Sequence, residues 1–343
     1  MSFKITIQPS GQVFEAAPGQ TLLQSALDAG LLLPYGCRNG ACGACKGILL
    51  QGDVDQGGFQ EHALPGAERA AGKLLSCCAM PLSDLVLECK EVASGKAIVA
   101  KTLPARVQKM TRLAPDVIDL ELRLPASEHL QFLAGQYIDI LLKDGRRRSF
   151  SLANAPHDDE VLQLHVRLVP GGVFTGHVFG AMKERDILRF NGPHGSFFLR
   201  EDSDKPVIFL AGGTGFAPVK AMVEHAIHNK IQRPMSIYWG SRDRAGLYQD
   251  ALARSWAELH EHIRYVPVLS EPADSDAWDG RTGLVHQAVL ADFADLSGYE
   301  VYACGAPPMI DAARRDFVAL GLPEDAFFSD AFTFTLDPVP ATA

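Results

Sequence analysis

Six of the seven cysteines in this 343-residue chain fall within its first 89 residues, at Cys37, Cys42, Cys45, Cys77, Cys78 and Cys89. The seventh is Cys304. Met1 to Ser10 has no basic start leading into an apolar run, and an odd count of thiols without such a leader is poor material for a disulfide framework. Crowding of thiols into one short segment predicts a metal centre instead.

Cys37, Cys42 and Cys45 are spaced C-x4-C-x2-C, and the residues between them include Gly40, Ala41, Gly43 and Ala44, small enough to leave backbone N–H groups free to approach sulfur. Zinc ribbons and knuckles more often present paired C-x2-C units. The spacing resembles that of plant-type ferredoxins, which implies a [2Fe-2S] cluster and a fourth thiolate farther on, from Cys77 or Cys78. In the reductases that this segment resembles, the fourth ligand is followed four residues later by Pro and seven later by Asp. Pro81 and Asp84 meet both conditions for Cys77, so the resemblance implies the ligand set Cys37, Cys42, Cys45 and Cys77. Cys78 is then a neighbouring thiol, and Cys89 reads as a residue of an alternating strand from Leu85. Around the cysteines, Phe3 to Ile7 alternates like a strand, and Val13-Phe14 is its expected hairpin partner. Thr21-Leu22-Leu23-Gln24 reads as a capping box opening a helix that ends near Gly30. These parts resemble a β-grasp ferredoxin domain.

Beyond residue 98 short alternating segments begin, among them Val117 to Leu122 and Tyr137 to Leu142, and they predict a small barrel. Arg148-Ser149-Phe150-Ser151 resembles the R-x-[YF]-S motif of the ferredoxin-NADP reductase superfamily, and Pro170 to Thr175 falls where that family has its second flavin segment. The resemblance implies FAD, with Arg148 on a phosphate, Phe150 against the isoalloxazine and Ser151 near its reactive N5 edge. It also places Ser149, Val166, Gly171, Gly172, Val173, Phe174 and Thr175 at the cofactor. A guanidinium matches phosphate geometry, and glycines let backbone N–H groups reach a pyrophosphate. Many relatives have Tyr at the position of Phe150, so one hydroxyl contact is expected to be missing. Asn191 to Phe197 reads as a turn-rich closing segment, with no catalytic role for His194.

In the last third, the apolar run Pro206 to Ala211 leads into Gly212-Gly213-Thr214-Gly215-Phe216-Ala217-Pro218, the strand, turn and helix start of a βα unit whose helix N-terminus can receive a pyrophosphate. Further buried runs at Met235 to Gly240 and Tyr299 to Ala303 predict a parallel sheet. The glycine turn resembles the superfamily's GGTGxAP motif, and Cys304-Gly305-Ala306-Pro307-Pro308-Met309 its C-G-x-P-x-M. The resemblance implies a nicotinamide nucleotide held by Gly212, Gly213, Thr214, Gly215, Pro218, Cys304, Gly305, Pro307 and Met309. Cys304 is then a contact that shapes hydride transfer and not a nucleophile. Phe327 to Phe332 resembles the family's last strand, which implies that Phe332 approaches the flavin with Asp330 nearby; Ser151, Cys304 and Phe332 are the expected catalytic contacts. The tail from Leu336 to Ala343 reads as frayed.

The resemblance runs from about Phe3 to Phe334, and the chain is identified as a member of the ferredoxin reductase-type flavoproteins with a fused N-terminal ferredoxin. That implies three domains at residues 1–98, 99–203 and 204–343: a β-grasp [2Fe-2S] domain, a six-stranded antiparallel flavin-binding β-barrel, and a Rossmann-like parallel α/β nucleotide domain. The implied activity is electron transfer from NADH or NADPH through FAD to the cluster and on to a partner protein. The motif wording is most like that of reductases serving sugar-nucleotide dehydratases, with oxygenase reductase components as the alternative. A free-flavin reductase or diaphorase with a structural or sensing cluster, or a non-catalytic metal-binding module, are further readings. Ser241-Arg242 leaves the nucleotide open between NADH and NADPH, with NADH the expectation.

Composition narrows the partners. The formal net charge of -9 argues against nucleic acid, and no stretch nears the roughly 20 apolar residues of a membrane span, so a cytoplasmic protein is expected. Split at the boundaries above, the three segments carry -2, +1 and -8, so the acidity is C-terminal and reads as a solvated surface.

Overall fold

The computed structural model describes residues 2–90, 92 and 98–333. Phe334 and the tail, where fraying was expected, lie outside the described residues. The chain divides into two compact units, residues 1–99 with 194–202, and residues 100–193 with 203–343.

In the first unit Phe3–Gln8 and Val13–Ala16 form the expected antiparallel hairpin, and Leu85–Glu88 adds in parallel on the other side of Phe3–Gln8. Lys46–Gln51 and Lys73–Leu75 complete a five-stranded mixed sheet, whose alternation buries Ile5, Ile7, Phe14, Leu85 and Leu87 under the helix Leu22–Asp28. Cys89 is buried one residue past the end of its strand.

Thr21 caps the helix by accepting from the Gln24 N–H at 3.3 Å. The reciprocal half of the capping box does not form, because the Gln24 amide donates to Asp28 instead. Leu22 and Leu23, whose N–H groups have no intrahelical acceptor, donate to Ala79 and Ser76 at 2.9 and 2.8 Å, so the helix start is pinned on either side of Cys77 and Cys78. Thr21→Ala should therefore cost about 1 kcal/mol, read as a lower midpoint in chemical denaturation. An unchanged midpoint would mean that the cap contributes nothing.

The second unit begins with six antiparallel strands in the order Arg147–Ser151, Tyr137–Leu141, Ile187–His194, Lys101–Ala114, Val117–Arg123 and Leu162–Arg167. A bridge between Leu152 and Leu164 joins the two ends and closes the barrel around Leu103, Leu120, Ile138, Leu164 and Phe190. The segment from Asn191 to His194, expected as a turn, is the end of a strand paired with Lys101–Ala114. Its Gly192 lies so close to Ile138 that an added Cβ would come within 2.7 Å, so this glycine serves close strand packing.

Six parallel strands follow, in the order Arg281–Thr282, Ile263–Leu269, Met235–Ser241, Val207–Gly212, Glu300–Gly305 and Phe327–Ala331. Val207–Gly212, and Glu300–Gly305 after its first residue, read as apolar runs because helices cover the sheet, among them Phe216–His228 and Pro307–Ala319. From Val207–Gly212 the chain first builds outward to Arg281–Thr282, then returns to place Glu300–Gly305 on the opposite side. The topology therefore reverses between these two central strands, where open α/β sheets hold their ligands.

Candidate redox centre and nucleotide site

Cys37 to Cys45 is a loop without regular structure whose backbone winds tightly, with left-handed conformations at Arg38, Gly40 and Gly43. At Gly40 an added Cβ would stand 2.8 Å from the Cys78 sulfur and from Phe59 Cβ, so the turn accepts only glycine. The loop brings Cys37 into electrostatic contact with Cys42, and Cys45 into contact with Cys77. The Cys77 segment is carried to Cys45 by the Ser76 N–H, which donates to the Cys45 carbonyl at 3.0 Å.

Backbone N–H groups point at these sulfurs: Ala41 N lies 3.4 Å from Cys37 Sγ, Cys37 N lies 3.4 Å from Cys42 Sγ, and Gly40 donates to Cys77. The S–H of Cys42, with N–H groups of the loop, pushes the Cys37 thiol down to about 6, and the same pairing pushes Cys42 up. Cys77 is pushed up to about 12 by its contact with Cys45. A cluster carrying net negative charge on sulfur needs such donors, and in that respect the loop fits the group. Cys78 Sγ lies 3.5 Å from Cys77 Sγ.

On the barrel, the basic triplet separates. Arg146 closes its own turn onto Asp144, and Arg147 lies 3.9 Å from buried Asp139, which also accepts from the Ser149 hydroxyl at 2.7 Å. Arg148 and Phe150 fall on the other face of Arg147–Ser151, and burial lowers the Arg148 pKa below the usual arginine value. Phe150 packs against Phe174, ring centroids 5.3 Å apart. Ser151 is buried. Gly172 caps the helix Val173–Gly180, Gly171 has φ +76°, and the Thr175 hydroxyl is engaged with its own turn, accepting from the Val169 N–H at 3.1 Å. Val166 has no exposed side chain and belongs to the barrel core, so a cofactor can meet only its backbone.

At the switch between the two central strands the nucleotide motifs converge. Gly213–Gly215 forms a single 3-10 turn that runs into Phe216–His228, where Pro218 is buried. Cβ atoms built on Gly212 and Gly305 would lie 2.8 Å from Met309 Sδ and 3.0 Å from its methyl carbon, and one on Gly215 only 2.1 Å from the Cys304 carbonyl oxygen. Each glycine makes room for the other motif. Pro307 occupies the first turn of its helix, where a missing N–H costs nothing. Phe332 continues the last strand by donating to the Gly305 carbonyl at 2.8 Å, and Asp330 is buried beside Cys304 in register.

Arg167 was not singled out from the sequence. Its Nη1 bonds Asp116 at 2.5 Å, while Nη2 is buried without a hydrogen-bond partner, 3.7 Å from where a Cβ on Gly213 would stand. A buried guanidinium nitrogen directed at a glycine turn suits an anionic nucleotide. The alternation of Leu162-Gln163-Leu164-His165-Val166-Arg167 carried the signal: it turns Val166 inward and Arg167 outward.

Cys304 has no exposed surface, and burial, with the nearby Asp330 carboxylate, pushes its thiol well above the ordinary range. A thiol held protonated in this way is a poor nucleophile. In native protein Cys304 should resist iodoacetamide at mildly alkaline pH under conditions that label it fully in urea, as peptide mass spectrometry will read. Equal labelling in both states would contradict its burial.

Comparison with known proteins agrees with this geometry. Residues 5–82 match the 2Fe-2S iron-sulfur cluster binding domain, 104–199 the oxidoreductase FAD-binding domain and 209–315 the oxidoreductase NAD-binding domain. The chain is 45% identical to the CDP-6-deoxy-L-threo-D-glycero-4-hexulose-3-dehydrase reductase of Yersinia pestis, over 97% of this chain and 99% of that one. It is 38% identical to the phenol 2-monooxygenase reductase component of a Pseudomonas species, over 98% and 96%. Among solved structures, the cytochrome P450 reductase GcoB of Amycolatopsis is 35% identical with a TM-score of 0.78, over 96% and 98%. No helix among the described residues is long and apolar enough to cross a membrane. The chain is an oxidoreductase with [2Fe-2S], FAD and nicotinamide-nucleotide domains, and it belongs to the ferredoxin reductase-type flavoproteins that carry a fused plant-type ferredoxin.

Proposed function

We propose that this protein delivers electrons from NADH or NADPH to a cytoplasmic sugar-nucleotide dehydrase, with functional segments at residues 1–98, 99–203 and 204–343. The single observation that carries the choice of partner is the 45% identity, over nearly the full length of both chains, with a reductase named for such a dehydrase. The oxygenase reading rests on the 38% match.

In this reading Cys37, Cys42, Cys45 and Cys77 would hold the cluster. Arg148 binds a cofactor phosphate, Phe150 and Phe332 bracket the isoalloxazine, and Ser151 lies at its N5 edge. Gly171 to Thr175 offer the turn for the pyrophosphate. Gly212 to Gly215, Arg167 and Pro218 hold the nucleotide, and Cys304, Gly305, Pro307 and Met309 set where its nicotinamide ends. A bound flavin would supply the exchange between a two-electron hydride and single electrons, which no protein side chain here can do. The residues therefore orient and exclude water; no proton-transferring base is required of them.

Reconstitution tests the partner. The purified holoprotein, with NADH, should support turnover of a CDP-hexulose dehydrase faster than that of a phenol monooxygenase at equal concentrations. The reverse order would make the oxygenase reading the better one, and equal turnover with residues 1–98 deleted would favour a diaphorase.

A further inference from the structure

In the second unit the outer face of the barrel strand Leu162–Arg167 carries a buried polar side chain, His165, that the electron route leaves unused. Leu162, Leu164 and Val166 face the barrel core, whereas Gln163, His165 and Arg167 alternate to the other side of the same strand. All three meet the nucleotide half: Lys220 donates to Gln163 at 3.3 Å, His165 Nδ1 lies 3.0 Å from the Tyr248 hydroxyl, and Arg167 borders Gly213.

His165 is 5% exposed and its Nε2 has no hydrogen-bond partner; Asp119, opposite it in the strand register, likewise has a buried, unpartnered Oδ1. Burial, with Lys220 adding, drives the His165 pKa down to about 3, so the ring is neutral. The Tyr248 ring stands edge-on to Trp239 at 5.1 Å and to Phe216 at 6.4 Å. Trp239 Nε1 donates to the Gly213 carbonyl at 2.9 Å, and Phe216, the first residue of the helix after the glycine turn, stacks on Trp239 at 3.8 Å. Contact is continuous from the barrel strand, through two hydrogen bonds and a packed ring, to the glycine turn. Such a buried bond, with orphan atoms beside it, contributes little net stability and much geometric definition.

We propose that His165 and Tyr248 are positioning residues, whose hydrogen bond fixes the Gly213 turn against the flavin barrel and thereby sets the rate of hydride transfer with little share in nucleotide affinity. This rests on the electron-transfer reading above.

Three variants of the holoprotein test it. Tyr248→Phe keeps the edge-on ring packing and removes the hydroxyl, His165→Leu removes the partner nitrogen, and His165→Asn restores a hydrogen-bonding amide near the Nδ1 position. Under anaerobic mixing the limiting rate of flavin reduction should fall about tenfold in Tyr248→Phe and His165→Leu, while the half-saturating NADH concentration moves less than about twofold. His165→Asn should recover most of the rate, and the Tyr248→Phe, His165→Leu double variant should be no slower than either single. Independently of turnover, amide hydrogen exchange at residues 213–216 should quicken about threefold or more in Tyr248→Phe. A wild-type limiting rate, unchanged exchange, or a loss confined to half-saturation overturns the proposal. If His165→Leu does not load flavin, Tyr248→Phe decides by both readouts. Failure of the wild-type protein to oxidise either nucleotide would sink the functional reading, and the exchange experiment would still judge the tether.

Discussion

Cys77→Ser will lose its iron and labile sulfide while its flavin is still reduced by NADH, and its delivery of electrons to any protein acceptor will fall to background. Cys77 is the thiol that faces Cys45 and receives the Gly40 N–H, and its segment is fixed by three backbone hydrogen bonds, from Ser76 to Cys45 and from Leu22 and Leu23 to Ala79 and Ser76. Cys78, although its sulfur is 3.5 Å away, is wedged against Gly40 and Gly57. A four-thiolate centre that loses one ligand loses a bond to iron that a serine hydroxyl replaces poorly. Cys78→Ser should retain the cluster absorbance and iron content of the parent. If Cys78→Ser is the variant without iron, the ligand assignment is inverted.

Gly215→Ala will slow reduction by the nucleotide on the order of 100-fold and leave FAD in place. The added Cβ would stand 2.1 Å from the Cys304 carbonyl oxygen and 2.6 Å from its carbon, so the clash is with backbone and no rotamer relieves it. Overpacking of this kind costs about 1–3 kcal/mol, and a shift of about 1 Å at a reacting centre costs on the order of 100-fold in rate. Both motifs at the topological switch move together, because Gly212 and Gly305 are closed against the same Met309. Gly298→Ala, where nothing lies within 4 Å of the new Cβ, is the matched control and should reduce at the parent rate. Anaerobic flavin reduction with the FAD content of each variant checks this, and a parent-like rate in Gly215→Ala would contradict the close approach.

What the sequence made legible was whatever a backbone turn or a short spacing dictates by itself. The Cys37, Cys42 and Cys45 loop and the Gly212 to Gly215 turn are of that type, because the small residues between them serve contacts within the loop or with one other motif. The Thr21 cap was legible for the same reason, though Gln24 found Asp28 within one turn of its own helix and left the box half made. Asn191 to His194 misled because Gly and Pro usually punctuate turns, and here Gly192 is required by Ile138 across the barrel. Val166 was placed at the cofactor by resemblance, against an alternation that turns it into the core. Arg167, His165 and Tyr248 acquire meaning only when a barrel strand and the loop after Met235–Ser241 are brought together over 80 residues of chain, as in the bond between His165 and Tyr248. No local pattern encodes such a pair.

Anaerobic stopped-flow spectroscopy of the holoprotein, with NADH and NADPH in separate runs, resolves the order of electron flow. Bleaching at the flavin wavelength should come first and at the cluster wavelength after it, with one nucleotide preferred. Full flavin reduction with a cluster that never bleaches would contradict it and would leave the ferredoxin domain outside the electron path.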